Sequence, residues 1–425
     1  MGRIDNMKSR LLQLVLVFDA LLCLPTYHVQ ADPPLRKSLP DGVIELAGIV
    51  PLGGIVGGKD GTLMLDQGSH YRVSKDGGAT WDDPRPLNAP IGAAGKIRLQ
   101  SGALAIYGQK DAHYYFASSA DEGKTWSDPN VICPRYEGYT MFHNMIQLRS
   151  GRLLITMYWE ALDGWNLHPD VMYPSTTGAF GTWKGHRVSI EGHGQVPEMG
   201  MSFVYRSDDQ GKTWTKHPGG LMGWFDFEGN VNGRYGLTPC FEPTIAETRS
   251  GGVLLIARST VGRLVQSYSP DGGEHWMAVR PTELPASQAP ALMVSLPTTG
   301  DLLIVWNQNS REEIRRGFRR NRLSAAISKD GGHSWEHFKT LELSEGLEDI
   351  PRITPEYPIS PVRGRRDVGH LPDNFVQFSY PNVDVVEDKV FIRYYRRWWV
   401  LNGGGKPTMP KRWVMRVYPV QWFYE

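Results

Sequence analysis

Cysteine, net charge and long apolar runs are all scarce in this chain, and each scarcity removes a class of protein. Its 425 residues hold three cysteines, too few for a small scaffold stapled by disulfides. Lys and Arg number 46 against 45 Asp and Glu, so no excess of one sign points to nucleic acid or to an anionic membrane surface. No close His, Asp and Glu spacing suggests a metal centre, and no cofactor is implied. The one extended apolar run, Leu11 to Leu24, follows Arg3, Lys8 and Arg10 and precedes Val29-Gln30-Ala31. That order reads as a secretory signal over residues 1–31, with export to the periplasm or beyond and no membrane insertion once the leader is cleaved. A membrane anchor is the alternative, but the run is short, contains Asp19 and lacks a basic stop. Cys23 would suit a lipoprotein only if a small residue preceded it, and Leu22 stands there. Removing the leader leaves Cys133 and Cys240, which could form one disulfide or remain as two buried thiols.

What the chain does have is repetition. SKDGGATW from Ser74, SADEGKTW from Ser119, SDDQGKTW from Ser207, SPDGGEHW from Ser269 and SKDGGHSW from Ser328 share the form S-x-D-x-G-x-[TSH]-W. Each reads as a tight hairpin turn in which Asp bonds the backbone two residues on, Gly supplies positive φ and Trp plugs the layer beneath. The five aspartates are 45, 88, 62 and 59 residues apart, spacings that suit one box per propeller blade of about 40 to 50 residues, with insertions in mid-chain. Forty-seven Gly and 30 Pro favour turns over long helices, making an all-β class the natural reading. Between boxes a second unit recurs, a Gly turn followed by an apolar strand: KDGTLML from Lys59, QSGALAIYG from Gln100, RSGRLLITMYW from Arg149, RSGGVLLIARS from Arg249 and TTGDLLIVWNQ from Thr299. These are the expected inner strands of successive blades. A sixth unit without a box runs from Phe375 through RWVMRVYPVQWFYE from Arg412, with Val43 to Val50 completing its blade. The expectation is a six-bladed β-propeller over residues 32–425, closed on itself so that few strand edges are exposed.

Two segments depart from the repeat. Residues 160–200, rich in Gly, His, Pro and aromatics, are too long for a blade turn and are expected to form a loop over one face, shaping a binding site or meeting a neighbouring subunit. The basic run REEIRRGFRRNR from Arg311 reads as an anion site or as a solvated loop.

Boxes and intervening strands together resemble the sialidase superfamily, whose members are six-bladed propellers bearing these aspartate boxes on the periphery, away from the site. The resemblance covers essentially the whole mature chain. Cys240-Phe241-Glu242-Pro243, followed sixteen residues after its Glu by Arg258, is similar to the family's Glu-Pro and Arg. It implies that Glu242 activates a nucleophilic tyrosine and that Arg258 grips a substrate carboxylate. An Arg three residues before Leu323 is another carboxylate ligand in the family, which selects Arg320 over Arg322. Ser379-Tyr380-Pro381 matches the Ser-Tyr-Pro that carries the nucleophile. The chemistry accounts for these residue types. A phenol can approach an anomeric carbon beside a carboxylate without the repulsion an Asp or Glu would meet, and the guanidinium fork pairs two oxygens at once.

The front of the chain breaks the pattern. Where the family begins its first blade with Arg-Ile-Pro, alignment places Pro51-Leu52-Gly53, so one carboxylate arginine is missing. The acid Asp has no clear match. Asp66 is the nearest, and it would have to reach the leaving oxygen while protonated. Met141-Phe142-His143-Asn144 offers His143 as an acid or a ligand of a sugar hydroxyl, or as a histidine bonded within the blade interface, with Asn144 reading hydroxyls beside it. The resemblance implies an exo-glycosidase releasing a terminal acidic sugar from a glycan. A hydrolase or lyase of other acidic or sulfated glycans and a non-catalytic carbohydrate-binding propeller are the rivals.

Overall fold

The computed structural model describes residues 39–47, 53–111, 113–134, 139–160, 178–190, 200–224, 237–316, 318–347 and 365–425, all within one unit, Arg36–Glu425. The leader over residues 1–31, Pro51, Leu52 and most of residues 160–200 lie outside them.

Six four-stranded antiparallel sheets follow one another along the chain. Blade 1 comprises Ile55–Gly57, Leu63–Gln67, His70–Ser74 and Arg85–Pro86, in order from the axis outward, and blade 2 comprises Gly95–Arg98, Leu104–Lys110, His113–Ser119 and Asn130–Cys133. Blade 3 is Tyr139–Gln147, Leu153–Glu160, Gly200–Ser207 and Thr215–Lys216, and blade 4 is Phe241–Glu247, Val253–Arg258, Arg263–Ser269 and Arg280–Pro285. Blade 5 is Leu292–Ser295, Leu302–Trp306, Arg322–Ser328 and Glu336–Leu343, and blade 6 is Val376–Val386, Lys389–Trp398, Lys411–Pro419 and, from the front of the chain, Ile44–Ala47. The first strand of each blade touches the first strand of the next, and that of blade 6 touches that of blade 1, so the ring closes.

Closure uses the expected N-terminal segment, with Ile44 opposite Val417 and Ala47 opposite Val414. A buried charge cluster clamps it there. Glu45 takes both Arg396 and Arg416, and Glu342 of blade 5 takes the same two arginines from the other side. Apolar contact between facing blades supplies the core. Leu254, Ile256, Leu302, Ile304 and Trp306 fill the space between blades 4 and 5, and Leu303, Val305, Phe378, Ile392 and Tyr394 that between blades 5 and 6.

One strand assignment is corrected. The apolar runs expected to be innermost are the second strands, sandwiched on both faces, which is why they read as continuous hydrophobic stretches. The strands at the axis precede them and carry Gly54, Gly95, Asn144 and Thr244, because blades converge there and leave room for small or hydrogen-bonding side chains. The boxes stand where expected, between third and fourth strands, but their aspartates bond the amide four residues on: Thr80 N donates to Asp76 Oδ1 at 2.9 Å and Thr213 N to Asp209 Oδ1 at 2.9 Å. The hydroxyls of Thr125 and Thr213 hold Asp121 and Asp209 down at about 2. The box glycine is required sterically at Gly211, where φ is +86° and a Cβ would strike Phe116 of blade 2.

Part of the long insertion lies among the described residues. Gly178–Trp183 and His186–Ile190 form a hairpin to which Arg365–His370 adds in parallel, and Trp183, Val188 and Ile190 pack on Phe318, Leu371 and Phe375. The first half of the basic run forms a helix, α1 (Arg311–Arg316), and its last residue, Arg322, opens a strand. Ser310 and Glu313 make the reciprocal cap that starts it, Glu313 N donating to Ser310 Oγ at 3.1 Å and Ser310 N to Glu313 Oε2 at 2.9 Å. Both mature cysteines are free thiols in different clusters, so no disulfide joins them. Cys133 Sγ lies 3.1 Å from Tyr205 Oη, and burial pushes the Cys240 thiol up to about 12. Among the described residues no helix is long and apolar enough to cross a membrane.

Candidate active site

Phe241 faces Arg258 across blade 4, but the next pair is Thr244 with Ile256, so Glu242 and Pro243 together oppose Ala257. Blade 6 repeats the irregularity. Ser379 faces Tyr395 and Asn382 faces Arg393, leaving Tyr380 and Pro381 opposite Tyr394. These are β-bulges, which re-aim a side chain by inserting one residue. Proline suits the second position, where a ladder amide is no longer needed. Glu242 and Tyr380 are both left-handed, at φ 48° and 54°, a conformation costing a non-Gly residue about 1 to 2 kcal/mol. Strain of this kind persists where surrounding structure over-determines it, and it gathers at functional sites.

The bulges bring the four residues of the resemblance together. Arg258, at the end of the second strand of blade 4, donates from Nη1 to Glu242 Oε2 at 2.6 Å while its guanidinium lies 4.6 Å from the Phe241 ring centroid. It is 1 % exposed, and its Nε and Nη2 meet no acceptor among the described residues. Arg320 precedes the third strand of blade 5. Its carbonyl accepts from Phe378 N at 2.6 Å, tying it to the inner strand of blade 6, and its guanidinium sits 4.8 Å from the Tyr380 ring centroid. Tyr395 stacks on the same tyrosine at 5.8 Å. The negative charge of Glu242, then burial, raise the Tyr380 phenol above its ordinary value, and Arg320 and Arg258 only partly offset them. The phenol thus sits in the field of the Glu242 carboxylate, which favours its protonated form.

Arg322 has another task. It is fully buried and donates to both carboxylate oxygens of Glu313 in α1, at 2.7 and 2.8 Å. The capped helix thus consumes Arg322.

Asp66 does not fit the acid role expected of it. Counting from the residue opposite the box serine, Arg258 is five residues along its strand and Asp66 only three along the equivalent strand of blade 1. The shallower count sets Asp66 deeper between blades, where its carboxylate lies 2.5 Å from Lys96 Nζ of blade 2 with both side chains 0 % exposed. Burial raises its pKa and Lys96 opposes the rise. A carboxyl so enclosed cannot reach a leaving group, and Asp66 is one half of an interblade ion pair.

Asn144 is likewise corrected. Its Nδ2 donates to Ile245 O at 3.0 Å and its Oδ1 accepts from Ile245 N at 3.1 Å, so the amide is spent joining blade 3 to blade 4 rather than reading hydroxyls. His143 lies in the inner strand of blade 3, and its side chain is outside the described residues. Met141 faces Tyr158 as Phe241 faces Arg258. Counted from those pairs, Phe142 takes the place of Glu242 and His143 that of Pro243. The place of the missing first-blade arginine, Pro51, lies outside the described residues; two residues on, Gly53 gives its carbonyl to Arg393, which also pairs with Asp384, and a Cβ at Gly53 would strike Asp66. Sequence reading missed Arg393, Asp384 and Lys96. The signal was a charged residue in the middle of an otherwise apolar blade strand.

The boxes lie far from this cluster. Ser269 of the fourth box faces Val253, five residues from Arg258, about 16 Å at the rise of a strand.

A family model for the BNR repeat-like domain matches residues 95–392, more than half of the chain. The chain belongs to the BNR repeat-like family. That membership places it with the sialidase-type propellers whose boxes it shares. A protein of unknown function from Dyadobacter fermentans has the same fold at 14 % identity, with a TM-score of 0.51 over 89 % of this chain and 99 % of that one. A Trypanosoma rangeli sialidase is 12 % identical over 91 % of this BNR repeat-like chain and 61 % of its own, with a TM-score of 0.46. A Penicillium chrysogenum alpha-L-arabinanase is 12 % identical over 92 % and 96 %, with a TM-score of 0.42. No curated protein sequence matches the chain.

Proposed function

We propose that this BNR repeat-like protein is a retaining exo-glycosidase releasing a terminal acidic sugar, sialic acid or a relative, from a glycan. The observation that carries the reading is the convergence of Tyr380, Glu242, Arg258 and Arg320 from three blades onto one phenol held neutral beside a carboxylate. In the first step Tyr380 Oη attacks the anomeric carbon as its proton passes to Glu242, and the bond to the leaving oxygen breaks. In the second, water attacks the anomeric carbon and gives its proton to the residue that protonated the leaving oxygen, as the tyrosine oxygen departs and takes its proton back from Glu242. Arg258 and Arg320 hold the substrate carboxylate.

No acid to protonate the leaving oxygen is seen among the described residues, and His143 is assigned that role. Its test is a His143→Gln variant, expected to lose activity on a glycan but to keep it on an aryl glycoside whose leaving group needs no proton. Loss on both substrates would remove the assignment. Pro51, in the place of the first arginine, favours a second reading in which the sugar is a uronic acid or another acidic sugar. Export through the leader over residues 1–31 belongs to the same proposal, and the N-terminus of the mature protein checks it.

The deciding experiment is release of product from a fluorogenic α-sialoside by the wild type beside Tyr380→Phe and Glu242→Gln. Turnover lost in both variants supports the sialidase reading. A folded protein that releases nothing from the sialoside but cleaves a uronoside selects the second. Binding without turnover, undiminished in Tyr380→Phe, would make the protein a carbohydrate-binding propeller.

A further inference from the structure

The bulge that carries Glu242 is not held by its own blade alone. In the second strand of blade 3, Thr156 is 0 % exposed and faces blade 4. Its hydroxyl accepts from Asn144 N at 3.3 Å and donates to Pro243 O at 3.0 Å, the Asn144 carbonyl and Oδ1 being longer alternatives at 3.3 and 3.2 Å. Two residues on from Pro243, Ile245 has its N–H and C=O both taken by the Asn144 side chain. The backbone on the C-terminal side of Glu242 is therefore pinned at three points by a neighbouring blade. The carboxylate is pinned by Arg258 of its own blade.

We infer that Asn144 and Thr156 are positioning residues for the proposed catalytic base, holding Glu242 in its left-handed conformation so that its carboxylate meets Tyr380. The inference rests on the reading above. Its physical basis is that a left-handed glutamate before a proline has no local reason to persist. Without the hydroxyl proton on Pro243 O and the amide on Ile245, the bulge can relax toward regular β conformation and swing the carboxylate off the phenol. The same clamp accounts for two features otherwise unrelated: a threonine in the middle of an apolar strand, and an asparagine on an innermost strand whose amide is bonded to the next blade.

Thr156→Val is close to isosteric and removes the hydroxyl alone. It is expected to lower kcat by about ten- to a hundred-fold, the scale of a sub-ångström to 1 Å misplacement, with KM changed less than threefold. The acid limb of the pH–kcat profile, set by the base, should move as well. Thr156→Ser restores the hydroxyl and should recover most of kcat, which separates loss of the bond from loss of the fold. Asn144→Asp keeps the acceptor for Ile245 N but not the donor and should fall between. Tm is followed in every variant. If Thr156→Val lowers Tm yet keeps kcat and its acid limb while Glu242→Gln is inactive, the clamp is structural only and the inference falls alone. If Glu242→Gln keeps full turnover, the proposed base falls and the inference with it. The crystal structure of Thr156→Val gives a readout independent of activity. The inference requires Glu242 to leave φ near +50° or its contact with Arg258 to lengthen, and an unchanged Glu242 there overturns it.

Discussion

Two acidic side chains at the same end of the propeller, each beside a cation, have opposite fates. Glu242 is paired with Arg258 at 2.6 Å and shares its surroundings with Tyr380 and Arg320, whereas Asp66 is paired with Lys96 at 2.5 Å and enclosed completely. Composition does not separate them, since each is a carboxylate near the end of an apolar strand. Depth and backbone shape do. The bulge lifts Glu242 out of the ladder, while Asp66 stays in register opposite Tyr71, two residues deeper than the level of Arg258. An ion pair at the mouth of a ring can exchange partners with a substrate. One between packed blades can only hold them together.

The sharpest way to break the comparison is to neutralise both acids. Glu242→Gln is expected to cut turnover per folded molecule about 10²- to 10⁴-fold, the usual worth of a positioned base, beyond any loss of stability from leaving the buried Arg258 without its counter-charge. Asp66→Asn should do the reverse. Removing one partner of a buried pair leaves Lys96 uncompensated and costs about 3 to 5 kcal/mol, read as a lower midpoint in urea, while activity per folded molecule survives. Replacing the pair together by Leu and Met should regain much of that loss. If Asp66→Asn lost activity without losing stability, Asp66 would return as a member of the site.

A smaller effect is expected where the ring is clasped. Burial alone would raise the Glu45 carboxyl, but hydrogen bonds and charge from Arg396 and Arg416 outweigh it and hold it below its ordinary value. A carboxylate lowered on folding adds stability that is fully present above its unfolded pKa, near 4.5, and is lost as pH falls through the folded value. Unfolding at pH 7 and at stepwise lower pH should therefore show Glu45→Gln less stable than wild type at neutrality, with the gap narrowing below pH about 4.5. A constant gap would mean that the contribution is packing rather than charge. The smallest effect on catalysis belongs to the boxes. Asp209→Asn should lower Tm modestly through the weakened turn and leave kcat and KM as they were, because the boxes sit at the far ends of the strands. A changed KM would put a box in contact with substrate.

Much of this was legible in the chain, and the reasons differ from residue to residue. The boxes are local turns whose bonds run within five residues, so Ser207, Asp209, Gly211 and Thr213 identify the motif without help from the rest of the protein. Glu242, Arg258, Arg320 and Tyr380 were readable as candidates because the Glu-Pro, Arg and Ser-Tyr-Pro motifs of the resemblance single them out. The helix α1 was readable too, from Ser310 and Glu313 in capping-box spacing before an Ile-containing turn, but the surrounding arginines drew attention to charge instead. Asp66 and Asn144 were misjudged for one reason. Their partners, Lys96 and Ile245, are 30 and 101 residues away, and only the closing of one blade on the next brings them within bonding distance.

By itself the sequence determined the all-β class, the repeat, the turn chemistry and the order of site residues along the blades. These rest on interactions among near neighbours and on a period that a strand must obey. The tertiary structure alone decided which charges are spent between blades, that the apolar runs are second strands, and that blade 3 props the bulge of blade 4. Those outcomes depend on depth and on contacts between blades distant in the chain, and neither residue type nor spacing records how deep a side chain will lie once six sheets have closed around an axis.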